Sequence, residues 1–183
     1  KDGVKYTVNS DGTTVKVSGY DEESAPSDGK ITIAATVSDG TNTYDITSIG
    51  EYAFNGTAIK GIDLSGATNL QTICDNAFNS CQSLSGSVTI PAKVTSIGNN
   101  AFRRTAITAL DLSGATALET ISNNAFNGCS SLSGTITIPA AVTSIGNYAF
   151  YSTAITGLNL SGATALQTIC DNAFNSCQSL SGS

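Results

Sequence analysis

The chain has no histidine, tryptophan or methionine, and only three of its 183 residues are proline. Without His, the Cys–His nucleophile pair and the mixed Cys/His zinc sites are excluded. Charge is scarce as well, at 12% of residues. A disordered chain carries more charge and less Ile, Leu, Val and Phe, so this one is expected to fold. Positive charge is the scarcer sign, with 8 Lys and Arg against 14 Asp and Glu, giving a net charge of −6 and a pI near 4.3. Nucleic acid and anionic bilayers attract clustered cations, so neither is expected as a partner. No apolar run is long enough to span a bilayer, and no membrane insertion is expected of this segment. The chain opens at Lys1, which leads us to expect an upstream segment removed by signal processing or by choice of boundaries.

What the chain has in abundance is repetition. Ile49, Ile73, Ile97, Ile121, Ile145 and Ile169 recur every 24 residues, and so do Phe54, Phe78, Phe102, Phe126, Phe150 and Phe174, each preceded by Ala. Units alternate between two forms, an odd one (TSIGNNAFRRTAITALDLSGATAL, 95–118) and an even one (ETISNNAFNGCSSLSGTITIPAAV, 119–142), so the longer period is 48. Residues 64–87 and 160–183 differ only at Asn69 and Ala165, the mark of duplication of a two-unit block.

Each unit holds a short apolar–polar–apolar stretch that reads as a strand: 62–64, 88–90, 110–112, 136–138 and 158–160, spaced alternately by 26 and 22. The outer residues should face a core and the central polar one solvent. Pro91 and Pro139 should end the even strands. The Ala-Phe segment, with Asn or Asp before it, is expected to form a short helical turn whose Phe plugs the core, with Asp75 and Asp171 as its caps. Residues 4–8 and 13–17 alternate around Ser10-Asp11-Gly12, a hairpin signal, and 31–33 reads as the first coil strand. We therefore expect a β cap and first strand over 1–45, and six units of about 24 residues over 46–183. The last unit is incomplete, its strand being missing at Ser183, so either the chain continues or something else covers that edge.

The phrases VTSIGNNAF (94–102), VTSIGNYAF (142–150) and NGCSSLSGTITIPAAV (127–142) resemble the BspA-like leucine-rich repeats, whose pattern is roughly IP-x-x-V-x-x-I-G-x-x-A-F-x-x-C-x-x-L. The resemblance covers about 31–183. It implies an α/β solenoid: a right-handed leucine-rich-repeat coil of short parallel strands and short helical turns, with an N-terminal β-hairpin cap. It also implies a secreted or cell-surface bacterial protein, since members of the family occur mainly there and some look like adhesins for host extracellular or bacterial surface proteins. The odd units depart from the pattern, with a longer L-S-G-A-T-x-L link and Thr57, Thr105 and Thr153 where the family has Cys.

Cys81, Cys129 and Cys177 recur every 48 residues, about 10 Å apart if coils stack, beyond disulfide reach of one another. They read as small buried hydrophobes, although a bridge from Cys74 to Cys81 within one unit is conceivable. Asp63, Thr89, Asp111, Thr137 and Asn159 should line an exposed strand face. Asp63 and Asp111 lie two strands apart, too far for a retaining pair of carboxylates, and read as a solvated face. No catalytic, metal-binding or cofactor-binding constellation is found, and no cofactor is expected. Asn55-Gly56-Thr57 and Asn159-Leu160-Ser161 match the N-glycosylation pattern, which carries little weight in a bacterial protein.

Departures from the repeat are more informative. Where most units carry Asn, Gly or Ser beside the Phe, this chain has Tyr52, Arg103, Arg104, Tyr148 and Tyr151. Stacked, these would share one side of the solenoid, and Tyr and Arg are the types enriched at binding hot spots. The expected function is a non-enzymatic protein-binding or adhesion module. The alternative is a structural spacer or stalk in a longer surface protein whose ligand site lies elsewhere.

Overall fold

The computed structural model describes residues 2–181; Lys1 and the chain end at Ser183, on which two of the expectations above fall, lie outside the described residues. The N-terminal part holds β1 (Val4–Val8), β2 (Thr14–Tyr20), β3 (Lys30–Thr32), β4 (Thr36–Ser38) and β5 (Thr43–Ile49). Thereafter each coil supplies one strand and one two-residue strand. In order these are β6 (Gly61–Asp63) and β7 (Thr72–Ile73), β8 (Ser85–Thr89) and β9 (Ser96–Ile97), β10 (Ala106–Asp111) and β11 (Thr120–Ile121), β12 (Ser133–Thr137) and β13 (Ser144–Ile145), and β14 (Ala154–Asn159) and β15 (Thr168–Ile169).

The repeat Ile sets the main sheet. β5, β7, β9, β11, β13 and β15 pair in parallel and in register, Ile49 on Ile73 on Ile97 and onward to Ile169. Such strands need a crossover, and here each crossover is the rest of its own coil. On the opposite flank the expected strands are present as three parallel pairs rather than a continuous sheet, with Ile31 beside Ile62, Val88 beside Leu110 and Ile136 beside Leu158. As expected, Ile62 and Leu64 point inward while Asp63 is exposed; in the last such strand the pattern fails, with Leu160 38% exposed and Asn159 half-buried.

The Ala-Phe segments are not helical, so the fold is a β-solenoid and not α/β. Among the described residues the only helix is a single 3-10 turn at Glu22–Ser24. In each coil the residues two before and two after the Phe adopt left-handed φ, as at Asn124 (57°) and Gly128 (73°). A left-handed residue every fourth position stops a right-handed helix from propagating. Half of the turn's N–H groups instead bond to the next coil. Phe102 N–H donates to Ala125 O at 2.8 Å, and Asn100 and Arg104 N–H donate to Asn123 and Asn127 O at 3.0 and 2.9 Å. The alternate N–H groups close four-residue turns, Arg103 N–H to Asn100 O at 3.1 Å for example. The result is a ladder of tight turns.

The first 45 residues do not form a lid across the end of the coil. β1 pairs antiparallel with β2 around the expected turn, where the Asp11 carboxylate accepts from Thr13 and Thr14 N–H at 2.7 and 2.8 Å. β2 then pairs in parallel with β5, Val15 on Ile46 and Val17 on Ile49, so the hairpin lengthens the sheet edgewise. The Tyr20 ring lies 5.4 Å from Phe54, the place a preceding Phe would take. The segment is an extra coil made by other means.

Inside, the six Phe rings form one column with centroids 4.9–5.4 Å apart and planes within 14° of parallel. Stacking at this distance is set by the coil rise, which is the spacing of adjacent strands. Coil contact is close enough to require glycine after the odd Ile. A Cβ at Gly98 would lie 2.6 Å from Asp75 N and 2.7 Å from the Cys74 carbonyl carbon, and one at Gly146 would lie 2.5 Å from Asn123 N. That is why Gly50, Gly98 and Gly146 alternate with Cys74, Ser122 and Cys170.

The 26/22 alternation corrugates the surface. From Phe78 to Val88 is ten residues and from Phe102 to Leu110 eight, while Val88 to Ile97 is nine and Leu110 to Ile121 eleven. Even coils therefore bulge on the corner after the Phe, and odd coils on the corner after the strand. Between two bulges lies a recess: one of about 540 Å³ over Ile90 and Pro91, between Leu64–Thr68 and Gly114, and another of about 370 Å³ over Thr153 and Ala154, between Ser130 and Gln178.

Phe102→Ala should cost about 3–5 kcal/mol in urea unfolding, because a fully buried ring in mid-column leaves a cavity. Phe174→Ala, at a half-buried ring, should cost less. Gly98→Ala should destabilise by about 1–3 kcal/mol through backbone overlap, whereas Gly114→Ala, whose Cβ meets nothing within 4 Å, should stay within about 0.5 kcal/mol.

Candidate functional site

All five singled-out side chains stand on the turn ladder. Tyr52 and Tyr148 occupy the left-handed position before the Phe, where the other four coils carry Asn. Arg103 and Tyr151 follow the Phe directly, and Arg104 takes the second left-handed position (φ 56°). They share one edge of the coil but not one patch. Tyr52 and Tyr148 are four coils apart, about 19 Å at the strand spacing. Tyr148 and Tyr151 pack edge to face, with centroids 5.5 Å apart and planes at 71°. Their counterparts in even coils are Asn pairs such as Asn127 Nδ2 donating to Asn124 Oδ1 at 2.7 Å. In this coil an aromatic contact replaces an amide hydrogen bond.

Tyr52 is 58% exposed, the most exposed large apolar side chain of the described residues, and Tyr148 is 40% exposed. Tyr52 flanks a recess of about 490 Å³ shared with Lys16, Glu51 and Cys74. Sequence reasoning did not find Lys16 or Glu51, because the hairpin that brings Lys16 there lies outside the 24-residue register. Nor did it find the recess beside Tyr151, although the 26/22 spacing was its signal.

The strand face is committed to local structure. Thr89 sits beside Asp111 and Thr137 beside Asn159 in register. Asp63 and Asp111 each accept the N–H two residues on, from Ser65 and Ser113 at 2.9 Å, and Asn159 does the same with Ser161 at 3.0 Å. These hydrogen bonds to the charged form hold both carboxyls below the usual range. Asp75, expected to cap a helix, instead joins coils: its carboxylate accepts from Asn99 N–H at 2.7 Å and Asn99 Nδ2 at 3.0 Å. Asn123 accepts from Asn147 N–H at 2.7 Å in the same way.

The cysteines are free. Cys81, Cys129 and Cys177 are buried in one column with Thr57, Thr105 and Thr153, so the odd-unit Thr and even-unit Cys are partners. Cys129 Sγ donates to Phe102 O at 3.0 Å and lies 3.3 Å from Thr105 Oγ1, which donates to the same carbonyl at 3.0 Å. Burial pushes the Cys129 thiol up to about 11 and raises Cys81 too. Among the described residues no group of three or more His, Cys, Asp or Glu could hold a metal, and no helix is long and apolar enough to cross a membrane.

Iodoacetamide at pH 8 should accordingly label the half-buried Cys74 and Cys170 in the native chain well before Cys81 and Cys129, as read by mass spectrometry. Equal labelling would contradict the burial of that column.

The BspA type leucine rich repeat region matches in six copies across residues 47–181. A leucine-rich repeat protein from Bacteroides capillosus is 26% identical with a TM-score of 0.52, over 92% of this chain and 94% of its own. A leucine rich cell surface protein of Faecalibacterium prausnitzii is 25% identical, TM-score 0.52, over 94% of this chain and 54% of its own. The pneumococcal vaccine antigen PcpA shares the fold at TM-score 0.63 and 20% identity, over 89% and 50%. The chain thus spans about half the length of the latter two proteins. No curated protein matches it.

Proposed function

Because the chain belongs to the BspA-type leucine-rich-repeat family, we propose that it is a non-enzymatic binding module, secreted or displayed on a bacterial surface, that holds a protein partner along its turn ladder. The partners are host extracellular or bacterial surface proteins, and the contact row is Tyr52, Arg103, Arg104, Tyr148 and Tyr151. The cell-surface description of the Faecalibacterium relative supports the location. The engagement of Asp63, Asp75 and Asp111 in hydrogen bonds within the fold supports a scaffold without catalysis.

One observation carries the reading. Tyr52 and Tyr148 hold φ of 57° and 56°, a conformation costly for a bulky residue and easy for the Asn found in the other coils. A large exposed aromatic kept at such a position lowers stability without filling the core. Retention against that cost is what a binding role provides.

Two measurements check it. Tyr52→Asn should raise unfolding free energy by about 0.5–1 kcal/mol, since Tyr52 is the more exposed of the two. Second, the chain should be screened against immobilised mucin, fibronectin, fibrinogen and bacterial surface proteins. Replacing Tyr52, Arg103, Tyr148 and Tyr151 by Asn and Arg104 by Gly should lower affinity for any confirmed partner about tenfold or more. Unchanged affinity rejects this row, and silence across the screen favours the spacer reading.

A further inference from the structure

We propose that the recess over Thr153 and Ala154 is a binding site for a neutral saccharide, with the Tyr151 ring as its stacking platform. The site goes beyond the protein-binding reading: it shares Tyr151 with that row but does not depend on a protein partner.

The lining chemistry selects the ligand class. Ser130, Tyr151, Ser152, Ser176, Gln178 and Ser179 surround the recess, presenting hydroxyls, one amide and one aromatic ring. No Asp, Glu, Lys or Arg lines it, so a phosphate or carboxylate finds no countercharge. A wholly apolar ligand would strip water from hydroxyls and an amide without replacing those hydrogen bonds. A pyranose offers both halves of the match, a C–H face for the ring and a rim of hydroxyls for the Ser and Gln side chains. The volume, about 370 Å³, falls within the range of small-ligand sites.

The site is rigid before any ligand arrives. Its walls are two even-coil bulges held about 10 Å apart by the coil between them. Ser152 N–H donates to Asn175 O at 3.0 Å and Gly128 N–H to Tyr151 O at 2.9 Å, which fixes the backbone on both sides. The Thr153 hydroxyl is spent on Phe150 O at 2.9 Å and that of Ser176 on Asn175 Oδ1 at 3.0 Å. The side chains of Ser130, Ser152, Gln178 and Ser179 make no hydrogen bond to other described residues and stay available. Tyr148 and Tyr151 pack edge to face, which restrains the Tyr151 ring in advance and lowers the ordering cost of binding.

One and two 48-residue periods back, the positions of Tyr151 and Ser152 are taken by Arg103 and Arg104 and by Asn55 and Gly56.

The test is calorimetric titration of the full chain with free oligosaccharides ending in glucose, galactose, mannose or N-acetylhexosamine, alongside sialylated and sulfated sugars. Saturable one-to-one binding of a neutral sugar is expected. Tyr151→Asn, which installs the residue that four other coils carry there, should weaken it about tenfold. No saturable binding of any neutral sugar, preference for the anionic ones, or binding indifferent to Tyr151→Asn would each overturn the site. Because no protein partner is present, failure here leaves the protein-binding reading to its own screen.

Discussion

Every feature of this molecule depends on one constraint: each coil must return to the same place after 24 residues, so that Ile lands on Ile and Phe on Phe. The Phe column, with ring centroids about 5 Å apart, and the parallel Ile ladder are two consequences of it. No coil buries its apolar face alone; stacking buries all of them in a single continuous core. Two residues gained on one flank are given back on the other, and the alternation of 26 and 22 between strands sums to 48 for that reason.

That compensation gives the surface its character. Were all coils alike, the flanks would be smooth. Instead odd and even bulges leave regular recesses whose walls come from neighbouring coils and whose floors come from the coil between. The turn ladder repeats with the period, but its side chains drift with the sequence, so one framework presents Arg103 and Arg104 in one coil and the recess beside Tyr151 in another. The scaffold is conservative in shape and free in chemistry.

Polar residues that catch the eye in the sequence are for the most part employed in holding coils together. Asp75 and Asn123 reach across to the next coil's backbone, the recurring Asp63 and Asp111 close their own turns, and Cys129 shares a carbonyl with Thr105. The residues that break the repeat are not employed in this way. Tyr52 and Tyr148 stand out most, because the backbone they occupy favours Asn.

The sequence by itself determined the period, the inward Ile and Phe of the inner coils, the presence of a strand in each unit though not its bounds, the first strand near Ile31 and the edge on which the five unusual side chains lie. These follow from local periodicity, which a single chain displays in full. Only the tertiary structure decided the rest. The Ala-Phe segment is compatible with a helix when read alone; it becomes a turn ladder because half of its N–H groups find carbonyls in the next coil. For the same reason Asp75 serves its neighbour rather than a helix end, and the hairpin over 4–20 extends the sheet instead of closing it. Gly98 looks optional until the Asp75 backbone is seen lying where its Cβ would be. Tyr148 and Tyr151, three apart in the chain, became a pair only once the turn placed them edge to face. Bonds between coils join residues 24 apart, and no local pattern announces which groups they will claim.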